Sequence, residues 1–248
     1  MSKSRMSLFF KSLTSGAPVC RAEAFAQELR YDAALSLGQS CISRFHIDRI
    51  QRERHFHRYR PVSGFFDSLT RDKGHRCLVD LVASNFHLSA EDFDLKKDDL
   101  DLWRAYAPRL GMYFIHDFKF TTEDKDRCRI EMGQQAPKAL AKYRYLGDKF
   151  IDLLRSDHRT LFVLTDSTQI SADTVEDLVR AFRNVNSRVD FSILHIVFAN
   201  DGAKTIDHPD LIGVSMDNSA SKDWTGVHAG YDEAFRNIFI RPALGATG

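Results

Sequence analysis

Five short runs, Ala33–Leu37, Met112–Ile115, Thr160–Thr165, Phe191–Ala199 and Leu211–Ser215, are apolar at nearly every position. A half-exposed strand alternates polar and apolar residues, so runs of this kind point to strands covered on both faces, as in a mainly parallel sheet between layers of helix. Segments of helical period separate them. Ser171–Val185 is the clearest: Ser171 is placed to cap it, Asp173 and Glu176 lie in its first turns, and Val175, Leu178, Val179 and Phe182 share one face. Lys138–Arg155 is a second, with Leu140, Tyr143, Phe150 and Leu154 inward and Gly147 a weak point. The acidic stretch Glu91–Asp101 reads as a solvated loop leading into a short helix around Trp103.

Strand and helix in alternation define an α/β fold. The expectation is one domain over 31–240, with a central, mainly parallel sheet flanked by helices, an N-terminal extension over 1–30 and a C-terminal tail over 241–248. A chain of 248 residues that is 43% hydrophobic is long enough to build that core. Its net charge of +1 gives no general attraction for nucleic acid. Lys3, Arg5, Lys11 and Arg21 precede the first acid, Glu23, but Leu8–Phe10 is too short for a signal-peptide core and no stretch reaches the length of a membrane span. Cys20, Cys41, Cys77 and Cys128 lie far apart, without the paired spacing of a zinc knuckle or a disulfide scaffold, and fit a reducing, cytoplasmic setting.

The first apolar run continues through Gly38, Gln39 and Ser40 to Cys41, and an amphipathic, basic stretch follows at once. This reads as strand, tight glycine turn and helix, with a nucleophile at the junction. Backbone N–H groups and the positive end of the helix dipole favour a thiolate there, and the N–H groups of Gln39 and Cys41 are candidate oxyanion donors. The run Met112–Phe118 is an apolar strand ending in His116-Asp117, and His116 is the candidate base and acid for Cys41. Asp117 and Asp67 are the candidate orienting acids. Each has a plainer reading: Asp117 braces a turn or helix, and Asp67 caps the next helix.

From Ile42 to Arg60 there are six arginines (44, 49, 52, 54, 58 and 60) against Asp48 and Glu53. Arg44, Arg49 and Arg52 are candidates for holding a phosphate or carboxylate, and a solvated helix face is the alternative. His46, His55 and His57 lack the carboxylate spacing of a metal site. His195 reads as a core histidine, and His208 and His228 as turn residues.

Four short motifs occur in order: Ser36-Leu37-Gly38-Gln39-Ser40-Cys41, Gly64-Phe65-Phe66-Asp67, His116-Asp117-Phe118 and Lys142-Tyr143-Arg144. Together they resemble a bacterial family of unknown function described as papain-like cysteine peptidases. That resemblance, over about residues 33 to 230, places the family's cysteine on Cys41, its histidine on His116 and its acids on Asp67 and Asp117. Phe65, Ser68 and Tyr145 stand where the family has proline, tryptophan and a second arginine. More distantly, the pattern is similar to a capsule-polysaccharide acetyltransferase type that binds coenzyme A. The resemblance implies a cysteine-dependent acyltransferase or hydrolase acting on a small molecule or a surface glycan, with coenzyme A as a candidate acyl donor. The alternative is a non-catalytic module binding an anionic sugar, nucleotide or partner through the Arg44–Arg60 stripe. Redox sensing lacks a resolving cysteine and ranks last.

Overall fold

The computed structural model describes residues 28–38, 41–55, 63–67, 69–72, 74–198, 206–216 and 228–240. In chain order the elements are β1 (Leu29–Tyr31), β2 (Ala33–Ser36), α1 (Ile42–His55), β3 (Leu69–Arg71), α2 (Arg76–Ala83), β4 (Asp94–Lys97), β5 (Trp103–Ala107), β6 (Met112–Phe114), α3 (Lys125–Arg155), β7 (Thr160–Asp166), α4 (Ala172–Val185), β8 (Phe191–Phe198), β9 (Leu211–Met216), α5 (His228–Ala234) and β10 (Ile238–Ile240).

The chain is an α/β protein built on parallel pairing. β2, β7, β8 and β9 form a parallel sheet in that order, with Leu35 opposite Phe162 and Phe162 opposite Ile193. β1 precedes β2 by one residue, Asp32, and pairs in parallel with β10. That pair forms a separate two-stranded sheet. Side chains along β7 alternate between two cores. Leu161 and Val163 join Ile42, Ile47 and Ile50 of α1 and Tyr231 and Ala234 of α5, whereas Phe162 and Leu164 join α2, α3 and α4 on the opposite face. Apolar partners on both sides are what the unbroken apolar run of β7 requires.

The crossover from β2 to β7 carries a second sheet. It is antiparallel, in the order β3-β6-β5-β4. The Met112–Ile115 run falls here as β6, outside the parallel layer where it was expected. Met112 and Phe114 are buried in the same aromatic core, so apolar content alone does not separate the two sheets. Within Glu91–Asp101 a solvated loop was expected, yet β4 forms there, and Trp103 begins β5 in place of a helix. Leu95 alone among Asp94–Lys97 is fully buried, which leaves an edge strand with the composition of a loop. The turn between β4 and β5 is held by Asp98, whose carboxylate accepts the N–H groups of Leu100 and Leu102 at 2.9 and 3.0 Å.

Ser171 caps α4 as expected, accepting the Thr174 N–H at 3.2 Å. The helix expected from Lys138 starts instead at Lys125, where the Asp124 carboxylate accepts the Arg127 N–H at 2.9 Å. Pro137 lies inside it, a residue that usually marks a helix boundary because it lacks an N–H for the preceding turn. β1 begins at Leu29, inside the expected extension. Residues 1–27 and 241–248 lie outside the described residues.

Gly147 is a site of close approach. A Cβ there would stand 2.5 Å from the Cβ of Phe86, which is buried with φ +57° among Phe65, Phe66 and Phe150. Gly147→Ala is expected to destabilise the fold by about 1–3 kcal/mol through overpacking, against the gain of up to about 1 kcal/mol that alanine brings to an exposed helix. A stabilised variant in chemical denaturation would contradict this.

A charged cluster is buried where the two sheets meet. The Asp166 carboxylate, at the end of β7, lies 2.7 Å from Arg71 Nη2 and 2.8 Å from His75 Nε2, and accepts the Thr168 N–H at 3.0 Å. Burial alone would raise the Asp166 pKa, but His75, Arg71 and the Thr168 N–H bring it down to about 2. His195 sits at a core position of β8, facing His75 at 6.0 Å between ring centroids. Burial, with the charges of His75 and Arg71 beside it, pushes its pKa down to about 3. The unfolded chain takes up a proton near pH 6.5 that folded His195 refuses, so acid favours unfolding. This residue should cost about 1.4 kcal/mol of stability per pH unit as pH falls below ~6.5, until about 3. Urea denaturation at pH 7.5 and 5.5 checks this: His195→Gln should show a shallower loss than wild type, and equal losses would refute it.

Candidate functional site

Gly38 turns the chain out of β2 toward α1. The Leu37 N–H bonds the Val163 carbonyl at 2.8 Å, extending the ladder by one residue, and the Gly38 N–H bonds Ser36 Oγ at 2.9 Å. Gly38 has φ +69°, and a Cβ there would lie 3.1 Å from the Phe66 carbonyl oxygen. Glycine is demanded twice, by conformation and by space. Cys41 then opens α1, its carbonyl accepting the Phe45 N–H at 2.8 Å. Gln39 and Ser40 lie outside the described residues.

His116 arrives from the second sheet, in the turn after β6. Its Nε2 lies 3.5 Å from Cys41 Sγ, within the range of a sulfur hydrogen bond. The two residues are far apart in sequence and follow strands of different sheets, and the fold brings them into contact. Cys41 is partly exposed, so a ligand can approach it from solvent.

Neither candidate acid bonds the imidazole among the described residues. One Asp117 oxygen accepts Lys142 Nζ at 2.7 Å and the other the Tyr143 hydroxyl at 2.6 Å. Asp117 thus braces its turn against α3, the plainer of the two readings made for it. Asp67 Oδ2 accepts the Gly64 N–H at 2.7 Å and Arg44 Nη1 at 3.1 Å, closing the turn that follows Gly64. Burial holds the Asp67 carboxyl above the usual range, in spite of Gly64 and Arg44.

The thiol is less acidic than its place at a helix start suggests. Burial, and then the Asp67 carboxylate, push the Cys41 pKa up, and its own backbone N–H offsets this only in part. At neutral pH the sulfur therefore rests as a thiol. Burial also raises the Cys77 thiol, to about 11, and Cys128 is fully buried with its Sγ 3.1 Å from the Thr122 carbonyl.

The arginine stripe is used inside the chain. Arg44 binds Asp48 at 2.8 Å as well as Asp67, and Arg49 binds Glu53 at 2.9 Å and also Asp232. Arg54 donates to the Phe235 carbonyl at 2.8 Å and to that of Ile238. Arg52 is exposed, and Arg58 and Arg60 lie outside the described residues. The expected anion site at Arg44 and Arg49 is thus occupied by carboxylates of the protein. His46 is buried and stacks on Tyr231 with centroids 3.5 Å apart, while His57 lies outside the described residues. His208 closes a turn through the Asp210 N–H at 3.1 Å, whereas His228 begins α5. No group of three metal-ligating side chains occurs among the described residues.

Sequence reasoning missed Arg71, His75 and Asp166. The available signal was a lone acid ending an apolar strand, where side chains gather at the carboxyl edge of a parallel sheet. It also missed that two of the quoted motifs meet, Lys142 and Tyr143 holding Asp117.

Comparisons with family models, curated proteins and solved structures find no match. Fold and site therefore define the class directly: an α/β protein whose parallel sheet presents a cysteine to a histidine from an antiparallel insertion. Among the described residues, no helix is long and apolar enough to cross a membrane.

Because Asp67 opposes the thiolate, Asp67→Asn should lower the Cys41 pKa and speed its alkylation by iodoacetamide severalfold near neutral pH. Peptide mass mapping gives the rate, with Cys77 and Cys128 as slow internal references. An unchanged or slower rate at Cys41 would show that the carboxylate does not act on the sulfur.

Proposed function

We propose that the protein is a cysteine-dependent acyl-transfer enzyme in which Cys41 is the nucleophile and His116 the proton carrier. The observation that carries this reading is the 3.5 Å contact between Sγ and Nε2 at a partly exposed strand-turn-helix junction. His116 Nε2 takes the thiol proton as sulfur attacks a carbonyl carbon. The carbonyl electron pair moves to oxygen, returns as the leaving group departs, and His116 delivers the proton to that group. The Cys41 N–H, within reach of its own sulfur, is a donor close to where the oxyanion forms. A second nucleophile, deprotonated by His116, then releases the acyl group.

Water as that nucleophile makes the reaction a hydrolysis of the papain-like kind, and a sugar hydroxyl makes it a transfer to a surface polysaccharide. On this reading the donor is an activated acyl compound. Coenzyme A thioesters belong to that class, although Arg44 and Arg49 are already engaged and do not form a phosphate cradle. The same ion pairs engage two of the arginines on which an anion-binding module would draw. Free thiols at Cys41, Cys77 and Cys128 fit a cytoplasmic setting.

Incubation with p-nitrophenyl acetate or acetyl-coenzyme A should place one acetyl group on Cys41. His116→Ala should slow that step by roughly a hundredfold, and Cys41→Ser should abolish the thioester. Acetylation spread over all cysteines, or a rate indifferent to His116, would overturn the proposal.

A further inference from the structure

We infer that Arg71 and Asp166 are positioning residues that set the separation between Cys41 and His116. The inference rests on reading those two as a reacting pair. Cysteine and histidine follow strands of different sheets, so contacts that join the sheets close to the site bear on their distance. Arg71 ends β3, opposite Met112 of β6, the strand that leads to His116. Asp166 ends β7, whose Val163 lies opposite Ser36 of β2, the strand that leads to Cys41. Arg71 Nη2 binds Asp166 Oδ2 at 2.7 Å, with side chains only 2% and 5% exposed. The bridge thus runs from the histidine-bearing sheet to the cysteine-bearing sheet.

The same Nη2 donates to the Gly38 carbonyl at 3.4 Å, inside the turn that delivers Cys41. One guanidinium therefore touches the end of β7 and the glycine turn while standing on the neighbour of β6. The remaining contacts of Asp166 hold it in place: His75 Nε2 at 2.8 Å on one oxygen, and the Thr168 N–H and hydroxyl at 3.0 and 3.1 Å on the other. Among the described residues no hydrogen bond or ion pair joins Arg71 or Asp166 to Cys41 or His116, so they act through the backbone they hold. A planar fork suits this task, because its donors keep a fixed spacing that a lysine ammonium does not reproduce.

The test is a double-mutant cycle on the full chain, read as the rate of Cys41 alkylation by iodoacetamide from pH 6 to 9. Protection of Cys128, buried in α3 well along the chain from both residues, reports an intact fold. In wild type, His116→Ala should slow Cys41 by roughly tenfold near neutral pH. In an Asp166→Asn background, which keeps the side chain's shape, His116→Ala should have little further effect, because the pair has already separated. Full sensitivity to His116 in that background, with Cys128 protected, overturns the inference. Should Asp166→Asn expose Cys128, Arg71→Lys carries the same comparison, since it keeps the charge and gives up the reach to Gly38. Wild-type coupling in that variant is equally fatal. Insensitivity to His116 in the wild-type chain would instead refute the Cys41–His116 pair itself.

Discussion

The buried ring of Tyr143 is the joint on which the architecture of the site turns. It lies on α3, with Phe65 at 5.1 Å and Phe114 at 4.9 Å between centroids, and its hydroxyl is spent on Asp117. Phe65 belongs to the turn that ends in Asp67, and Phe114 ends the strand before His116. One side chain thus gathers both acid-bearing turns onto one helix. Burial, followed by the nearby Asp117 carboxylate, raises the Tyr143 pKa far above that of a free phenol, so the hydroxyl stays protonated and remains a donor. Aromatic contacts continue from this point through Phe86, Phe150, Phe162, Phe182 and Phe191, carrying the packing from the second sheet across one face of the parallel one. Edge-to-face and tilted pairs add directional preference to the area they bury, which is how a core of phenylalanines fixes one arrangement of layers.

The chemistry at Cys41 follows from how it is buried. A cysteine poised as a thiolate needs a nearby cation or free N–H groups, and here the nearest strong charge is the carboxylate of Asp67, with Arg44 held on its other side. The balance keeps sulfur protonated. A thiol held in this form reacts more slowly with oxidants and alkylating agents than a thiolate does.

The strands that cross the centre of the protein were legible because burial on both faces of β7 and most of β8 leaves few polar positions to confuse the pattern: Thr160–Asp166, Phe191–Phe198 and the mainly apolar edge strand Leu211–Met216 were readable within a residue or two. The glycine turn and Cys41 were legible for a different reason, since positive φ and a helix start impose local chemistry. What stayed hidden depends on long-range pairing. β4 has the composition of a loop and becomes a strand because β5 supplies its ladder. α3 runs through Pro137 because the core holds both halves of it. The arginines of α1 look like an anion site in sequence because Asp67 and Asp232, which neutralise them, come from elsewhere in the chain. Charge that is paired across the fold cannot be seen as paired along it.

The second sheet is inserted into a single crossover, between β2 and β7, without breaking the order of the parallel strands. Its consequence is a division of inheritance. Cys41 and its turn hang from the parallel layer, whereas His116 and its turn hang from the insert. The two halves of one contact therefore answer to different sheets, and a change confined to the insert reaches the imidazole before the sulfur.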